Sequence, residues 1–303
     1  MREITLEELL AAGCHFGHQV TRSNPKARDF IFESRDNIHI IDLAKTKEGL
    51  DDAALFIKDL ASKQGTSLLI VGTKRQARGI VEEAIGKVQG ENVGDGVFYI
   101  VNRWVGGLLT NFSEVSKNFK KLEEIEANLQ NEEIKAKYTK KERGLWAKDR
   151  EKLLSLYGGV RNIPAKPDAL FIIDTHLEEL AVKEAAMMGV KTVGIVDTNA
   201  DPAVIDYPIP ANDDALGSLK LIIDYIMDAW IEGRKLAKDI ENKKTATTET
   251  QKKDEARKLS DSEVARKVSG KSKTDSNKKT ATTETLKKTE TLRKRKRKNV
   301  DKK

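Results

Sequence analysis

The apolar positions of this chain follow two alternating patterns. Short continuous runs of Val, Ile and Leu alternate with longer stretches in which apolar residues recur every three or four positions. Continuous runs are typical of strands buried on both faces, and the second pattern is typical of amphipathic helices. We therefore predict an α/β fold, a doubly wound, flavodoxin-like domain with a parallel sheet. The predicted strands are Ile38–Asp42, Ser67–Val71, Val97–Val101, Ala169–Ile173, Thr192–Val196 and Tyr207–Ile209.

Helices are predicted around and between these strands. Thr5 and Glu8 have the spacing of a capping box, so a short helix should begin there and end at Gly13. The segment between Gly13 and Ile38 is rich in His, Asn, Pro and Arg and is predicted to be a loop. Four longer helices are predicted at Ala44–Ser62, Lys74–Ile85, Leu177–Met188 and Asp214–Lys235.

The stretch Thr110–Tyr157 interrupts this alternation. Its apolar residues recur at helical spacing on both sides of a predicted loop at Asn131–Tyr138, and Thr139 and Glu142 have the spacing of a second capping box. One apolar seam on otherwise charged helices predicts an inserted antiparallel helical hairpin with coiled-coil character. The predicted domains are an α/β sheet domain of residues 1–109 and 158–238, a hairpin of residues 110–157 and a tail of residues 239–303.

Composition separates the predicted tail from the rest of the chain. All aromatic residues precede Arg234, so the tail has no anchors for a packed core and is predicted to be disordered. It contains 22 Lys and Arg but 11 Asp and Glu, whereas residues 1–238 contain 33 and 37. An octapeptide, KKTATTET, occurs at residues 243–250 and again at 278–285, before the cation run Arg293–Lys298. The tail should bind polyanions electrostatically, and any RNA affinity of the mildly acidic remainder must come from local basic patches.

The cysteine content and the hydropathy of the chain limit the cellular compartments in which we expect it. The single cysteine cannot form an intramolecular disulfide, which fits a reducing environment. The first eight residues contain acids where a secretory signal needs an apolar stretch, and no apolar run approaches the roughly 20 residues that span a bilayer. We expect a soluble, cytoplasmic chain with no membrane partner.

Two segments have the composition of a nucleic-acid interface. Asn102–Asn111 places Arg103, Trp104 and two glycines after a strand, which suits phosphate pairing, base stacking and close approach of a partner backbone. Gly72–Arg75 lies at a strand-to-helix junction, which favours phosphate although P-loop and dinucleotide spacings are missing. The predicted RNA-binding residues are Arg22, Lys26, Arg28, Lys74, Arg75, Arg78, Arg103 and Trp104.

Structural alternatives remain open for these residues. Trp104 could be a buried side chain that Arg103 covers, and the Lys-Arg pair at the strand-to-helix junction could be an ordinary surface pair. Cys14, His15 and His18 have zinc-ligand chemistry but supply three ligands where a structural zinc site needs four. No metal is therefore predicted.

An enzyme is the alternative from another class of function. Asp174 and Asp197 each follow a predicted strand, where α/β enzymes keep their chemistry, and could hold Mg²⁺ for phosphoryl transfer. Aspartate after a strand is also an ordinary capping residue, and no nucleophile, base and oxyanion-stabilising set accompanies these acids. We therefore predict neither catalysis nor a cofactor.

A series of motifs along the chain indicates a family. In chain order the motifs are Ala12–Gln19, Asn24–Lys26, Phe30–Phe32, Val71–Arg75, Asn102–Asn111, Pro167–Asp174, Ile195–Pro202 and Ile209–Ala215. They closely resemble, in the same order, those of the bacterial small-subunit ribosomal protein S2 family, from the N-terminal region to about Arg234. The local departures are Asn102, where that family usually has His, and Asn162–Lys166, where it tends to carry a glycine-rich loop.

This resemblance implies a structural constituent of the small ribosomal subunit, present in single copy, that binds ribosomal RNA and contacts neighbouring ribosomal proteins. It also implies a position on the solvent side near the junction of head and body, and help in recruiting ribosomal protein S1. The predicted hairpin resembles the coiled-coil arm of that family. A laminin-receptor-like relative with duties off the ribosome is a third alternative.

Overall fold

The computed structural model describes residues 2–91 and 95–240, and the described residues up to Lys238 belong to one compact unit. The predictions for residues 241–303, including the disorder, the repeated octapeptide and the cation run, lie outside the described residues. In chain order the helices and strands are α1 (Leu6–Ala11), β1 (Phe16–Gln19), β2 (Ile31–Arg35), β3 (Ile38–Ile41), α2 (Leu43–Ser62), β4 (Leu68–Val71), α3 (Arg75–Gly90), β5 (Val97–Ile100), α4 (Phe112–Gln130), α5 (Glu132–Lys137), α6 (Lys140–Tyr157), β6 (Ala169–Ile172), α7 (Glu179–Met188), β7 (Lys191–Val196), β8 (Tyr207–Pro210) and α8 (described over residues 216–240).

A five-stranded parallel sheet in the order β5-β4-β6-β7-β8 forms the centre of the fold. Every residue of β4 and β6 is buried, because helices cover both faces of the sheet. Leu68 and Ile70 of β4 pack into a core with α2, α3 and α8, whereas Leu69 and Val71 face α7 and the base of α4 and α6. The doubly wound α/β prediction is confirmed for these five strands.

The strand predicted at Ile38–Asp42 does not belong to the parallel sheet. It forms β3, the middle strand of a separate antiparallel sheet in the order β1-β3-β2. The strands β1 and β2 occupy the segment that we predicted to be a loop. Asp36 and Asn37 join β2 to β3 with φ of 49° and 67°, which these two residue types tolerate better than most. This tight turn lets the chain reverse and pair with itself before α2 begins.

The inserted segment is helical, and its two long helices pack against each other. The ring of Phe119 in α4 lies 5.4 Å from that of Tyr157 at the end of α6, and Glu126 accepts a hydrogen bond from Arg150 at 3.2 Å. These pairs show that α4 and α6 run antiparallel. The prediction of a loop at Asn131–Tyr138 is wrong. Most of this stretch forms α5, because Asn131 and the acids that follow it favour the start of a helix.

Both predicted capping boxes are confirmed. Thr5 and Glu8 exchange hydrogen bonds at the start of α1, and Thr139 and Glu142 do so at the start of α6. The Thr139 backbone and hydroxyl also hold the pKa of the Glu142 carboxyl below its usual value.

Among residues 2–91 and 95–240, no helix is both long and apolar enough to cross a membrane.

We predict opposite effects for alanine at two helical glycines. In α2, a Cβ on Gly49 would lie 2.5 Å from the carbonyl oxygen of Pro208, whose backbone cannot yield cheaply. The resulting strain, about 1–3 kcal/mol, should exceed the gain in helix propensity of about 1 kcal/mol, so Gly49→Ala should lower the free energy of unfolding. Urea unfolding measures this quantity.

Gly86→Ala is the matched control in α3. No described atom lies within 4 Å of the Cβ that alanine would add at Gly86. This variant should raise the free energy of unfolding by about 0.5–1 kcal/mol through helix propensity alone. Stabilisation by both substitutions would contradict the close packing of α2 on β8.

Candidate nucleic-acid interface at the carboxyl edge of the sheet

The carboxyl ends of the parallel strands bring several loops to one edge, and an ionic cluster fills its centre. The ammonium Nζ of Lys74, at the start of α3, lies 3.2 Å from Asp174 Oδ2, 2.8 Å from Asp213 Oδ1 and 2.7 Å from Asp214 Oδ1. The Lys74 side chain is 15% exposed. Its charge is therefore used within the protein. We call Lys74, Asp174, Asp213, Asp214, His18 and Asp197 the edge cluster.

His18 attaches the N-terminal segment to this cluster. Its Nδ1 lies 3.1 Å from Asp197 Oδ1, and its Nε2 lies 3.7 Å from Asp214 Oδ2. The hydrogen bond with Asp197 raises the pKa of His18; burial opposes the rise, and the charges of the nearby aspartates support it. The backbone N–H of His18 also donates to the Thr198 hydroxyl at 2.9 Å.

One acid of the cluster, Asp213, lies where its ionised form is disfavoured. Burial raises the pKa of Asp213 to about 7, and the charges of Asp174 and Asp197 add to the rise while Lys74 opposes it. Burial tends to lower the pKa of Lys74, but its bonds to Asp213 and Asp214 and the charges of Asp213 and Asp174 outweigh burial and raise it. Removing Lys74 would leave buried carboxylates without their cation, a change that typically costs about 3–5 kcal/mol.

The two aspartates of the enzyme hypothesis have structural hydrogen bonds. Asp174 Oδ1 accepts from the backbone N–H groups of His176 and Leu177, at 3.1 and 2.8 Å, in the turn that precedes α7. Asp197 Oδ1 accepts from the backbone N–H and hydroxyl of Thr198, at 2.5 and 3.1 Å. Both acids thus act as turn-capping residues, which is the alternative that the sequence left open.

A metal could be held most readily by His18, Asp213 and Asp214. Among the described residues they form a group whose ligand atoms lie within 4.8 Å of one another. Lys74 already contacts both aspartates, so a metal would compete with its ammonium. Cys14 does not belong to this group; it is buried, and burial raises the pKa of its thiol.

Three predicted RNA-binding arginines lie on the side of the edge formed by β4 and β5. Arg75, in the first turn of α3, and Arg103, after β5, are exposed and make no ion pair with any described residue. Arg78 is half-buried and donates to Asn102 Oδ1 at 3.3 Å and to the Thr73 carbonyl at 3.2 Å. Arg78 therefore ties α3 to the loop that carries Arg103.

Besides Lys74, the three remaining predicted cations lie on the β7 side of the edge. Lys26 forms an ion pair with Asp201, which follows β7; the distance from Lys26 Nζ to Asp201 Oδ2 is 2.5 Å. Arg22 and Arg28 lie in 3-10 turns of the same N-terminal segment, are exposed, and have no ion pair within the described part of the chain. Exposed cations thus occupy both sides of the edge, and the edge cluster lies between them.

Trp104 points into the protein, as the alternative interpretation expected. Its side chain is 6% exposed, and its indole Nε1 donates to Glu184 Oε1 at 3.1 Å. The same carboxylate accepts backbone N–H groups of Gly107 at 2.8 Å, Leu109 at 3.1 Å and Thr110 at 3.3 Å. Stacking a base on Trp104 would require the indole to leave this position. Gly107 has φ of +90°, so one of the two glycines serves the fold of this loop.

Glu184 is the organising residue that the sequence patterns missed. Burial tends to raise the pKa of its carboxyl, but the N–H donors of Gly107, Trp104, Thr110 and Leu109 outweigh burial and lower it. The available signal was an acid on the buried stripe of α7, beside Ala185. An acid on such a stripe indicates a fixed internal partner.

Comparison with known proteins assigns the class. Proteins described as small ribosomal subunit protein uS2 are similar to this chain over most of its length. The protein from Maricaulis maris is 42% identical over 231 residues, 76% of this chain and 77% of that protein. The protein from Solibacter usitatus is 45% identical over 237 residues, 78% and 76% respectively, and that from Geotalea uraniireducens is 45% identical over 233 residues, 77% and 88%. The class is therefore that of structural proteins of the ribosome.

A family model described as Ribosomal protein S2 matches residues 9–233. The chain belongs to the ribosomal protein S2 family, as its motifs indicated. This is a family of ribosomal proteins and not of enzymes, so the phosphoryl-transfer hypothesis is dropped.

Asp213→Asn should change the pH dependence of stability. The pKa of Asp213 is about 7 in the folded protein against 3.8 for an unperturbed aspartate, so between these values the folded state binds more protons than the unfolded state. The free energy of unfolding of the native chain should therefore fall as pH rises through this window. Between about pH 5 and pH 7.5, the fall relative to Asp213→Asn should be on the order of 2 kcal/mol.

Urea unfolding of both proteins at several pH values tests this expectation. His18 adds to the same trend in both proteins, because a raised histidine pKa gives stability that is present at low pH and lost as pH rises. Parallel pH profiles for the two proteins would show that Asp213 is ionised in the folded state throughout this range.

Proposed function

We propose that this chain is a structural constituent of the small ribosomal subunit in the cytoplasm, present in single copy, and that it binds ribosomal RNA without a cofactor. The observation that carries this proposal is the charge arrangement of the carboxyl edge. Exposed arginines lie on both sides of an edge whose central acids are partly neutralised by Lys74 and His18. Such an edge can contact a polyanion through the exposed arginines on its two sides.

The strongest candidate for a phosphate contact is the start of α3. The side chain of Lys74 does not cap this 16-residue helix, and the helix dipole favours an anion at its first turn, where Arg75 is exposed. Arg103 is exposed on the neighbouring loop, and Arg78 joins the two elements through Asn102. Lys74 supports this surface by neutralising acids beneath it.

We propose residues 110–157 as a coiled-coil arm that extends the RNA contact. The arm comprises α4, α5 and α6, and its base packs on the sheet through Val115, Phe119 and Tyr157. The sheet domain would then comprise residues 1–109 and 158–238, and residues 239–303 would add a sequence-independent, salt-sensitive contact with RNA. Exposed cations of the arm available for phosphate include Lys120, Lys121, Lys140, Lys141, Arg143, Lys148 and Lys152.

A different surface suits a protein partner, which we propose to be ribosomal protein S1. Leu6 and Leu10 of α1 and Phe32 of β2 are exposed, Phe32 to 72%. They line a groove of about 380 Å³ together with Ile40 and Leu43. Apolar side chains have no charge or hydrogen-bond donor for phosphate, whereas an exposed apolar patch is typical of a protein interface. We call this groove the α1/β2 surface.

Reversing two charges should release the protein from RNA. We expect the full-length variant Arg75→Glu with Arg103→Glu to bind small subunits that lack this protein at least tenfold more weakly than the native chain. Each lost phosphate contact should also reduce the slope of binding against salt by about 1. Gradient sedimentation at a series of salt concentrations measures both quantities.

The control is Lys63→Glu with Lys235→Glu, which makes the same change in net charge. Lys63 follows α2 just before β4 begins, at the opposite edge of the sheet, and Arg234 donates to its carbonyl at 3.1 Å. Lys63 and Lys235 are exposed. This control should bind nearly as well as the native chain. Equal loss in both variants would mean that net charge, and not the carboxyl edge, determines binding.

Phe32→Ser should separate S1 recruitment from ribosome binding. Because Phe32 is exposed, the substitution should leave the fold and the subunit association unchanged. We expect severalfold less S1 in subunits carrying this variant, measured by quantitative mass spectrometry of purified subunits. Leu55→Ser, at an exposed position of α2, is the control and should retain S1. Normal S1 content with Phe32→Ser would exclude the α1/β2 surface as its docking site.

A further inference from the structure

We infer that Glu184 is the positioning residue of the RNA interface, an inference that rests on the function proposed above. Its carboxylate fixes the loop of residues 104–110, which we call the Glu184 loop. This loop connects Arg103, a proposed phosphate contact, to the helical arm. Glu184 is 4% exposed and therefore acts without touching RNA itself.

The carboxylate divides its hydrogen bonds between the two ends of the loop. Oε1 accepts from the Trp104 indole at 3.1 Å and from the Gly107 backbone at 2.8 Å. Oε2 accepts from the Leu109 backbone at 3.1 Å and from the Thr110 backbone and hydroxyl at 3.3 and 3.2 Å. Five donors therefore converge on one side chain. The position of α7 thus determines the path of the loop.

The two ends of the Glu184 loop are the parts that face RNA. Arg103 directly precedes Trp104, so anchoring the indole inside the protein leaves the guanidinium outside. At the other end, the Asn111 backbone donates to the Gly107 carbonyl at 2.7 Å, and α4 begins at the next residue. Glu184 therefore sets where the arm leaves the sheet relative to Arg103.

A second anchor fixes the side of the loop that faces α3 and α6. The Asn102 amide donates to the Ser155 carbonyl of α6 at 2.6 Å, and its Oδ1 accepts from Arg78 of α3 at 3.3 Å. Asn102, which directly precedes Arg103, is thus bonded both to the base of the arm and to Arg78 of α3. The loop is thus held by α7 on one side, and through Asn102 by α3 and α6 on the other.

The chemistry of the site requires a carboxylate. A glutamine in place of Glu184 would offer one acceptor oxygen and would turn an NH₂ group towards N–H donors. At least two of the five donors would then lose their partner, and buried donors without partners are unfavourable. Glu184→Gln keeps the size of the side chain and therefore tests the hydrogen bonds separately from packing.

The test compares association with folding in the full-length chain. We expect Glu184→Gln to weaken binding to small subunits that lack this protein by tenfold or more, at a temperature where the protein remains folded. Amide hydrogen exchange should rise at Gly107, Leu109 and Thr110. A core variant on α2, such as Ile57→Val, that lowers the melting temperature by the same amount should keep its association.

Two more variants make the outcome decisive. Glu179→Gln, at an exposed position of the same helix, should bind like the native chain. Thr110→Val removes one donor and should weaken association in the same direction, by less, even if Glu184→Gln fails to fold. The inference is wrong if Glu184→Gln binds as well as the stability-matched core variant, or if Thr110→Val has no effect.

These results can be distinguished from a failure of the proposed function. If the double variant at Arg75 and Arg103 binds like the native chain, the RNA surface itself is misplaced. If that double variant loses binding while Glu184→Gln retains it, the surface is right and only the positioning role is wrong.

Discussion

The buried ammonium of Lys74 is the interaction on which the carboxyl edge depends. It stands at the start of α3 and contacts acids that follow β6 and β8, so one cation joins loops from three strands. Without this cation, Asp174 and Asp213 would repel each other in a poorly solvated site. The cost of such a loss, about 3–5 kcal/mol, is a large fraction of the stability of an ordinary domain.

The same cluster determines which charges are available to a polyanion. His18 extends it to the N-terminal segment through Asp197, so the placement of Arg22 and Arg28 also depends on the cluster. The four acids outnumber the two cations, and the middle of the edge therefore offers phosphate no attraction. We propose that the exposed arginines beside the cluster attract phosphate instead. Lys74 lowers the negative potential between these arginines, which would favour the approach of RNA that we propose.

The regular part of the fold could be predicted because its determinants are local. Continuous apolar runs are sufficient to indicate β4 and β6, and the Thr139 and Glu142 pair is sufficient to indicate the start of α6. The antiparallel sheet was missed because β1 and β2 contain few apolar residues and depend on a turn at Asp36 and Asn37. Local patterns indicate a strand better than they indicate which sheet it joins.

The candidate site was harder to predict, because its partners are distant in sequence. Lys74 meets Asp213, 139 residues later, and Trp104 meets Glu184, 80 residues later. A lysine before a helix has the same local pattern whether it binds phosphate or a buried acid. The motif at Arg103 and Trp104 was recognised, but which of the two side chains faces outward depends on α7.

Two of the buried acids, Glu184 and Asp213, are stabilised in opposite ways. Glu184 is surrounded by N–H donors, which lower the pKa of its carboxyl despite burial. Asp213 shares one ammonium with two other acids, and the pKa of its carboxyl rises to about 7. The Glu184 loop should therefore keep its geometry across the neutral range, while the charge of the edge cluster changes with pH. Arg103, which we propose to contact RNA, adjoins the Glu184 loop, so its position should not depend on the titration of Asp213.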